Sequence, residues 1–212
     1  MEQTKMEKNR ATLIAITGGI ASGKSAVSGW LENHDYCVIY SDKLGHEILQ
    51  ETEVVKILSE KFGEQILENG QIFRPKLGKV VFGNEDNLLF LNNLIHPLIR
   101  QKMQDFADNF SGELLFYEIP LLYENGLADK FDQVINVYCS EETKIARMKQ
   151  RDGLDEDSAK TRIKSQLPDY IKKERADINL QNNGSLEELL RQLENIGKYL
   201  DKLPQKDLTR MI

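Results

Sequence analysis

Cysteine, histidine, positive charge and long apolar runs are all scarce in this 212-residue chain, and each scarcity closes off a class of function. There are two cysteines. Cys37 and Cys139 sit in apolar, strand-like contexts, YCVIY and VINVYC, which reads as buried thiols in a reducing compartment and not as a disulfide scaffold. The three histidines, His34, His46 and His96, lack the spacing of metal ligands with cysteine or with each other. Lys and Arg number 28 against 34 Asp and Glu, a formal net charge of -6. A general nucleic-acid coat or a binder of anionic membranes is expected to be basic, so neither partner is expected here. No apolar stretch approaches the ~20 residues of a membrane-crossing helix, and the polar opening MEQTKMEKNR is not a signal peptide. There is no internal repeat and no low-complexity segment. A cytoplasmic enzyme or switch is the expectation, with a small-molecule partner and a monomeric state.

What the chain does have is an alternation of short apolar runs with helical patterns. Residues 12–17, 36–40, 114–120 and 133–139 read as strands, and 177–184 as a last short strand and turn. The run YCVIY shows no polar alternation, the pattern of a strand covered on both faces. Between 51 and 110 helical patterns dominate, with a possible turn at Glu68-Asn69-Gly70 and with Pro97 expected to kink or restart the last helix. Helical patterns return at 141–152 and 156–167. Ser185 to Glu188 forms a capping box ahead of a helix to 200. Such alternation predicts an α/β protein with a parallel sheet. The tail LPQKDLTRMI carries no signal.

Chemistry is concentrated in GGIASGKS, which follows the first strand. Gly18-x-x-x-x-Gly23-Lys24-Ser25 is the P-loop pattern. Glycines let successive backbone N–H groups point into one concavity, and the helix starting near Lys24 adds its positive end. The backbone of Gly19, Ile20, Ala21, Ser22, Gly23, Lys24, Ser25 and Ala26 is therefore expected to hold the phosphates of ATP. Lys24 would reach the β and γ phosphates, and the Ser25 hydroxyl would ligate Mg²⁺. A GTP switch would need an Asn-Lys-x-Asp motif late in the chain, and none occurs. Glu118, at the end of LLFYE, either helps hold Mg²⁺ or is a structural carboxylate. Asp42 follows the second strand at the edge where α/β proteins bind ligands. It reads either as a base for an attacking hydroxyl or as a helix N-cap. Basic residues gather at Lys144, Arg147, Lys149, Arg151, Arg162, Lys164, Lys172, Lys173 and Arg175. Arg147 and Arg151 share a helix face, which is either a phosphate-closing lid or a solvated surface.

These residues together resemble the dephospho-CoA kinase family. ITGGIASGKS, SDKLGHEIL, LIHPLI, IPLLYENGL, RMKQRD and ADINLQNNGS each look like family signatures in the same order, from about Leu13 to Leu200. The resemblance implies a nucleoside-kinase-like three-layer α/β/α fold. A P-loop core would span 12–50, 111–140 and 176–200, a helical CoA-binding insertion 51–110, and a lid 141–175. It implies transfer of the ATP γ-phosphate to the ribose 3′-hydroxyl of dephospho-CoA, the last step of coenzyme A synthesis. The alternative is another P-loop kinase of a small molecule or nucleotide. By resemblance Asp42 is the base, Arg151 the lid arginine with Arg147 near the nucleotide, and Asn182 and Asn183 approach adenine. His96, Pro120 and Leu121 lie towards the acceptor. Two departures stand out. Tyr40-Ser41-Asp42 keeps one acid where many members carry Asp-x-Asp. Ala21 replaces a frequent glycine, which suits alanine if φ there is negative.

Overall fold

The computed structural model describes residues 10–200. The readings of the first nine residues and of the tail from 201 lie outside the described residues. In chain order the elements are β1 (Thr12–Gly18), α1 (Lys24–Glu32), β2 (Cys37–Tyr40), α2 (Ser41–Ile48) and α3 (Thr52–Phe62). Then come β3 (Leu67–Glu68), β4 (Gln71–Ile72), α4 (Arg74–Val81), α5 (Glu85–Asn109) and β5 (Leu114–Glu118). The chain continues through β6 (Gln133–Tyr138), α6 (Glu141–Asp152), α7 (Glu156–Lys164), α8 (Asp169–Arg175), β7 (Ile178–Gln181) and α9 (Leu186–Leu200).

All seven residues of β1 are buried, which requires cover on both faces and neighbours on both sides. The sheet order β2-β5-β1-β6-β7 provides the neighbours. β1 runs parallel to β5 and to β6, and β6 parallel to β7. Because strand side chains alternate between faces, Ile14 and Ile16 share one side. There they join Phe116, Ile135, Val137 and Leu180 in a core closed by Val27 and Leu31 of α1 and by Leu189 and Leu193 of α9. Burying each such aliphatic side chain contributes about 1.5–3 kcal/mol. Helix α8 packs on β6.

The chain divides into two compact units, Tyr40–Asn109 and the described residues on either side of it. The smaller unit has its own core of Ile48, Val54, Leu58, Phe62, Ile66, Ile72, Leu77, Val81 and Ile95. This unit takes in α2, which contributes Ile48 to its core and packs on α5, with Gly45 facing Ile99.

Of three expectations about single elements, the first is corrected, the second narrowed and the third, the turn at 68–70, met. The second strand is half-buried and lies at the sheet edge, so its apolar run does not mark two covered faces; Cys37 is correspondingly half-buried, whereas Cys139 is buried. Pro97 does not restart a helix: α5 runs through it for 25 residues, which removes that half of the expectation. Proline removes one donor, and the turns on either side keep theirs. The turn at 68–70 carries a two-stranded hairpin, β3–β4, with Asn69 and Gly70 at φ 52° and 77°. Positive φ at both central residues is the hairpin geometry that Asn-Gly favours.

Candidate active site

The loop 18–23 leaves the carboxyl end of β1 and is closed in from several sides. A Cβ at Gly18 would collide with the Val137 carbonyl, and one at Gly23 with the Asn182 side-chain amide. A Cβ at Gly19 would lie 2.6 Å from the Lys144 ammonium. Gly23 sits at φ 101°, ψ 25° and caps α1 without any side chain. The first turn of α1 therefore has no side-chain cap and contains no acid. The Ala26 N–H turns back to the Gly23 carbonyl at 3.0 Å, and the positive helix end is left to an external anion. This suits phosphates, while the space that side chains would take at Gly18, Gly19 and Gly23 is filled by Val137, Lys144 and Asn182.

Ala21 has φ 57°. The negative φ expected for an alanine is not found; the left-handed conformation here carries the Cβ strain that glycine would avoid. The Lys24 ammonium donates to the carbonyls of Gly18 (2.9 Å) and Gly19 (3.0 Å), which lays it along the loop. Ser25 is exposed at the second position of α1. One turn on, the buried Ser28 hydroxyl donates to the carboxylate of Glu118. Glu118 ends β5 in register with Ile16. A serine hydroxyl and a carboxylate are hard oxygen donors of the kind Mg²⁺ takes, the remaining positions being filled by waters and substrate phosphates. Among the described residues no cluster of three or more His, Cys, Asp or Glu could hold a metal by itself.

The two arginines of α6 do different things. Arg147 turns inward and donates to the carbonyls of Ala21 (3.1 Å), Ser22 (3.2 Å) and Asn182 (3.0 Å). It holds the outer side of the loop against the segment after β7. Arg151 points outward, with its side chain 64% exposed, and forms a two-pronged pair with the adjacent Asp152 at 2.8 and 2.9 Å. The asparagines also bind protein. The Asn182 amide donates to the Ser22 carbonyl (2.8 Å), and the Asn183 carbonyl oxygen accepts from the Ser140 N–H (2.6 Å). Asn183 and Gly184 line an open cleft of ≈ 670 Å³ with Gln181, Glu188, Arg191, Gln192 and Asn195. Pro120 follows β5, its carbonyl accepting from the Thr17 hydroxyl at 3.4 Å, and Leu121 is 39% exposed.

Asp42 and His96 belong to the other unit. The N-cap of α2 is Tyr40, with no side-chain capping bond, so Asp42 is not the capping residue. It lies exposed in the first turn. One turn on, burial and then the Arg74 charge push His46 below the ordinary histidine range, with Asp42 opposing. Burial and Arg100 likewise lower His96, which lies in α5.

Sequence reasoning missed a second set of residues. Lys144 and Lys172 read as part of a basic surface cluster, yet they are 4% and 0% exposed. Lys144 pairs with Asp169, and Lys172 lies 2.7 Å from Glu124. Gln166 accepts a 2.7 Å hydrogen bond from the Ile20 N–H. The acids concerned lie far along the chain, so no local spacing announces these contacts.

A family profile described as Dephospho-CoA kinase matches residues 12–188. The dephospho-CoA kinase of Shouchella clausii (strain KSM-K16) is 40% identical over 186 residues, 85% of this chain and 94% of that one. The crystal structure of TT1252 from Thermus thermophilus is 31% identical, covers 90% of this chain and 98% of its own, and superimposes with a TM-score of 0.80. A dephospho-CoA kinase structure from Campylobacter jejuni, 29% identical, gives 0.63 with 90% and 97% coverage.

Proposed function

The chain belongs to the dephospho-CoA kinase family and phosphorylates the ribose 3′-hydroxyl of dephospho-CoA with ATP, the last step of coenzyme A synthesis; from that premise we propose how its residues divide the work. The triphosphate lies along the backbone of Gly19–Ala26, with its negative charge at the uncapped start of α1. Lys24 exchanges its two loop carbonyls for β and γ oxygens. The Ser25 hydroxyl and the Glu118 carboxylate would hold Mg²⁺, which would supply charge neutralisation for the transferring phosphate. Asn182 and Asn183 flank the base.

Asp42 orients the 3′-hydroxyl and accepts its proton as the oxygen bonds to the γ-phosphorus and the bond to the β-bridging oxygen breaks, releasing ADP. Arg151 leaves Asp152 to neutralise the transferring phosphoryl group, and the lid, residues 141–175, excludes water. The unit 40–109 carries the acceptor and includes His96; Pro120 and Leu121, after β5, serve the acceptor as well. All of these groups come from one chain, so a monomer suffices. The two free thiols suit a reducing cytosol.

The observation that carries the nucleotide assignment is the glycine-capped, acid-free N-terminus of α1 with Lys24 laid along the loop. The test is ADP release from Mg²⁺-ATP with dephospho-CoA, adenosine or AMP as acceptor. Stimulation by dephospho-CoA alone is expected. Stimulation by adenosine or AMP to the same degree would remove the acceptor assignment, and no stimulation at all would remove the kinase.

A further inference from the structure

The connector between α7 and α8, residues 165–168, joins three parts of the larger unit. Gln166 takes the Ile20 N–H of the phosphate-binding loop at 2.7 Å. The next residue, Leu167, donates its N–H to the Glu124 carboxylate at 3.0 Å. Asp169, the first residue of α8, pairs with the buried Lys144, and the two side chains close on Gly19. Lys172, one turn further and fully buried, lies 2.7 Å from the same Glu124 oxygen. Glu124 stands in the loop after β5. Burial opposes its ionisation, but Lys172 and the N–H groups of Glu124 and Leu167 outweigh that and bring its carboxyl below the usual glutamate range. One carboxylate therefore anchors the connector, and the connector holds the Ile20 N–H of the phosphate-binding loop, with Asp169 just beyond it beside Gly19.

That loop has reason to need external support. It holds glycine at 18, 19 and 23, so its backbone is conformationally free. Inside it, the Ser22 N–H to Gly19 carbonyl bond is 3.2 Å. An anion cradle works only if its N–H groups are aimed before the anion arrives. We propose that Gln166 and Glu124 are positioning residues: Gln166 fixes the loop directly, Glu124 fixes it through the connector, and together they set the affinity for ATP. The inference rests on reading residues 18–25 as the ATP site.

The test titrates Mg²⁺-ATP binding and measures steady-state kinetics for the wild type, Gln166→Met, the pair Glu124→Gln with Lys172→Met, and the triple variant. The pair removes both charges and leaves none buried alone. Loss of one hydrogen bond weakens a site about fivefold. Gln166→Met is expected to weaken ATP binding by about that factor, with KM for dephospho-CoA within about twofold of wild type. The charge-removing pair is expected to weaken ATP similarly, and the triple variant no more than the worse parent, since all act through one connector. If the pair does not fold, Gln166→Met, which leaves every buried charge paired, carries the test alone. Unchanged ATP affinity in Gln166→Met would overturn the proposal, even if its melting temperature fell. So would factors that multiply in the triple variant. Failure of the wild type to bind Mg²⁺-ATP would instead remove the ATP reading beneath it.

Discussion

Substituting Gly23 by alanine puts the described loop geometry under direct strain. The backbone there is at φ 101°, where an L side chain is disfavoured, and the new Cβ would run into the Asn182 amide nitrogen. That nitrogen donates to the Ser22 carbonyl at 2.8 Å, so it cannot retreat without giving up the bond. The backbone conformation costs about 1–2 kcal/mol. The lost hydrogen bond, within a buried residue, costs about 1 kcal/mol more. The total, about 2–3 kcal/mol, corresponds to a fall in melting temperature of roughly 4–12 °C for a chain of this length. Thermal unfolding followed by circular dichroism reads the first effect, and Mg²⁺-ATP titration reads the accompanying loss of affinity. The double variant with Asn182→Ala separates the causes. It removes the collision and keeps the backbone strain, so it is expected to melt no lower than Gly23→Ala alone. A Gly23→Ala protein that melts within about 1 °C of wild type and binds ATP normally would refute the close approach of Asn182.

Ala21→Gly should act in the opposite direction. It relieves a left-handed alanine at φ 57° against the greater chain entropy of glycine, a net gain of up to about 1 kcal/mol seen as a slightly higher melting temperature; a lower one would contradict the strain. Lys24→Ala and Asp42→Ala are each expected to lower kcat by more than about tenfold. Asp42→Ala should leave ATP affinity nearly unchanged, and its loss would exclude the base role. Tyr123 is pushed up from 10.0 to about 12, chiefly by burial, with Asp177 adding and Arg175 opposing. A raised pKa means that the unfolded chain ionises first. The stability from this group is complete below pH 10 and lost as pH rises towards 12. Tyr123→Phe should flatten that alkaline limb in melting curves taken across the window, and an unchanged slope would show that Tyr123 does not cause it.

The strand, glycine loop and helix that carry the proposed nucleotide site were legible because their signal is local. An apolar run, clustered glycines and a lysine at fixed spacing give β1, the loop and the start of α1 in one stretch, Leu13–Ser25. The parallel α/β class followed from alternation along the whole chain. What escaped depends on partners distant in sequence. Whether YCVIY is central or at an edge is decided by sheet order, which the segment itself does not contain. Pro97 interrupts a pattern but not a helix, because α5 keeps its other hydrogen bonds through 25 residues. Lys144 and Lys172 resembled their exposed neighbours until Asp169 and Glu124 were brought to them, 25 residues further on and 48 residues back. Arg147 and Arg151 look equivalent at a spacing of four, yet one faces loop carbonyls and the other solvent. The alanine at 21 was readable as a departure, but its positive φ was not.

The most direct test of the account is the fate of the phosphoryl group. The protein would be incubated with γ-labelled Mg²⁺-ATP and dephospho-CoA, and the labelled product identified by phosphorus NMR and mass spectrometry. The account expects the label as a monoester on the ribose 3′-oxygen of coenzyme A, with one ADP formed for each. Label found only in inorganic phosphate, or on another oxygen of the acceptor, would contradict it.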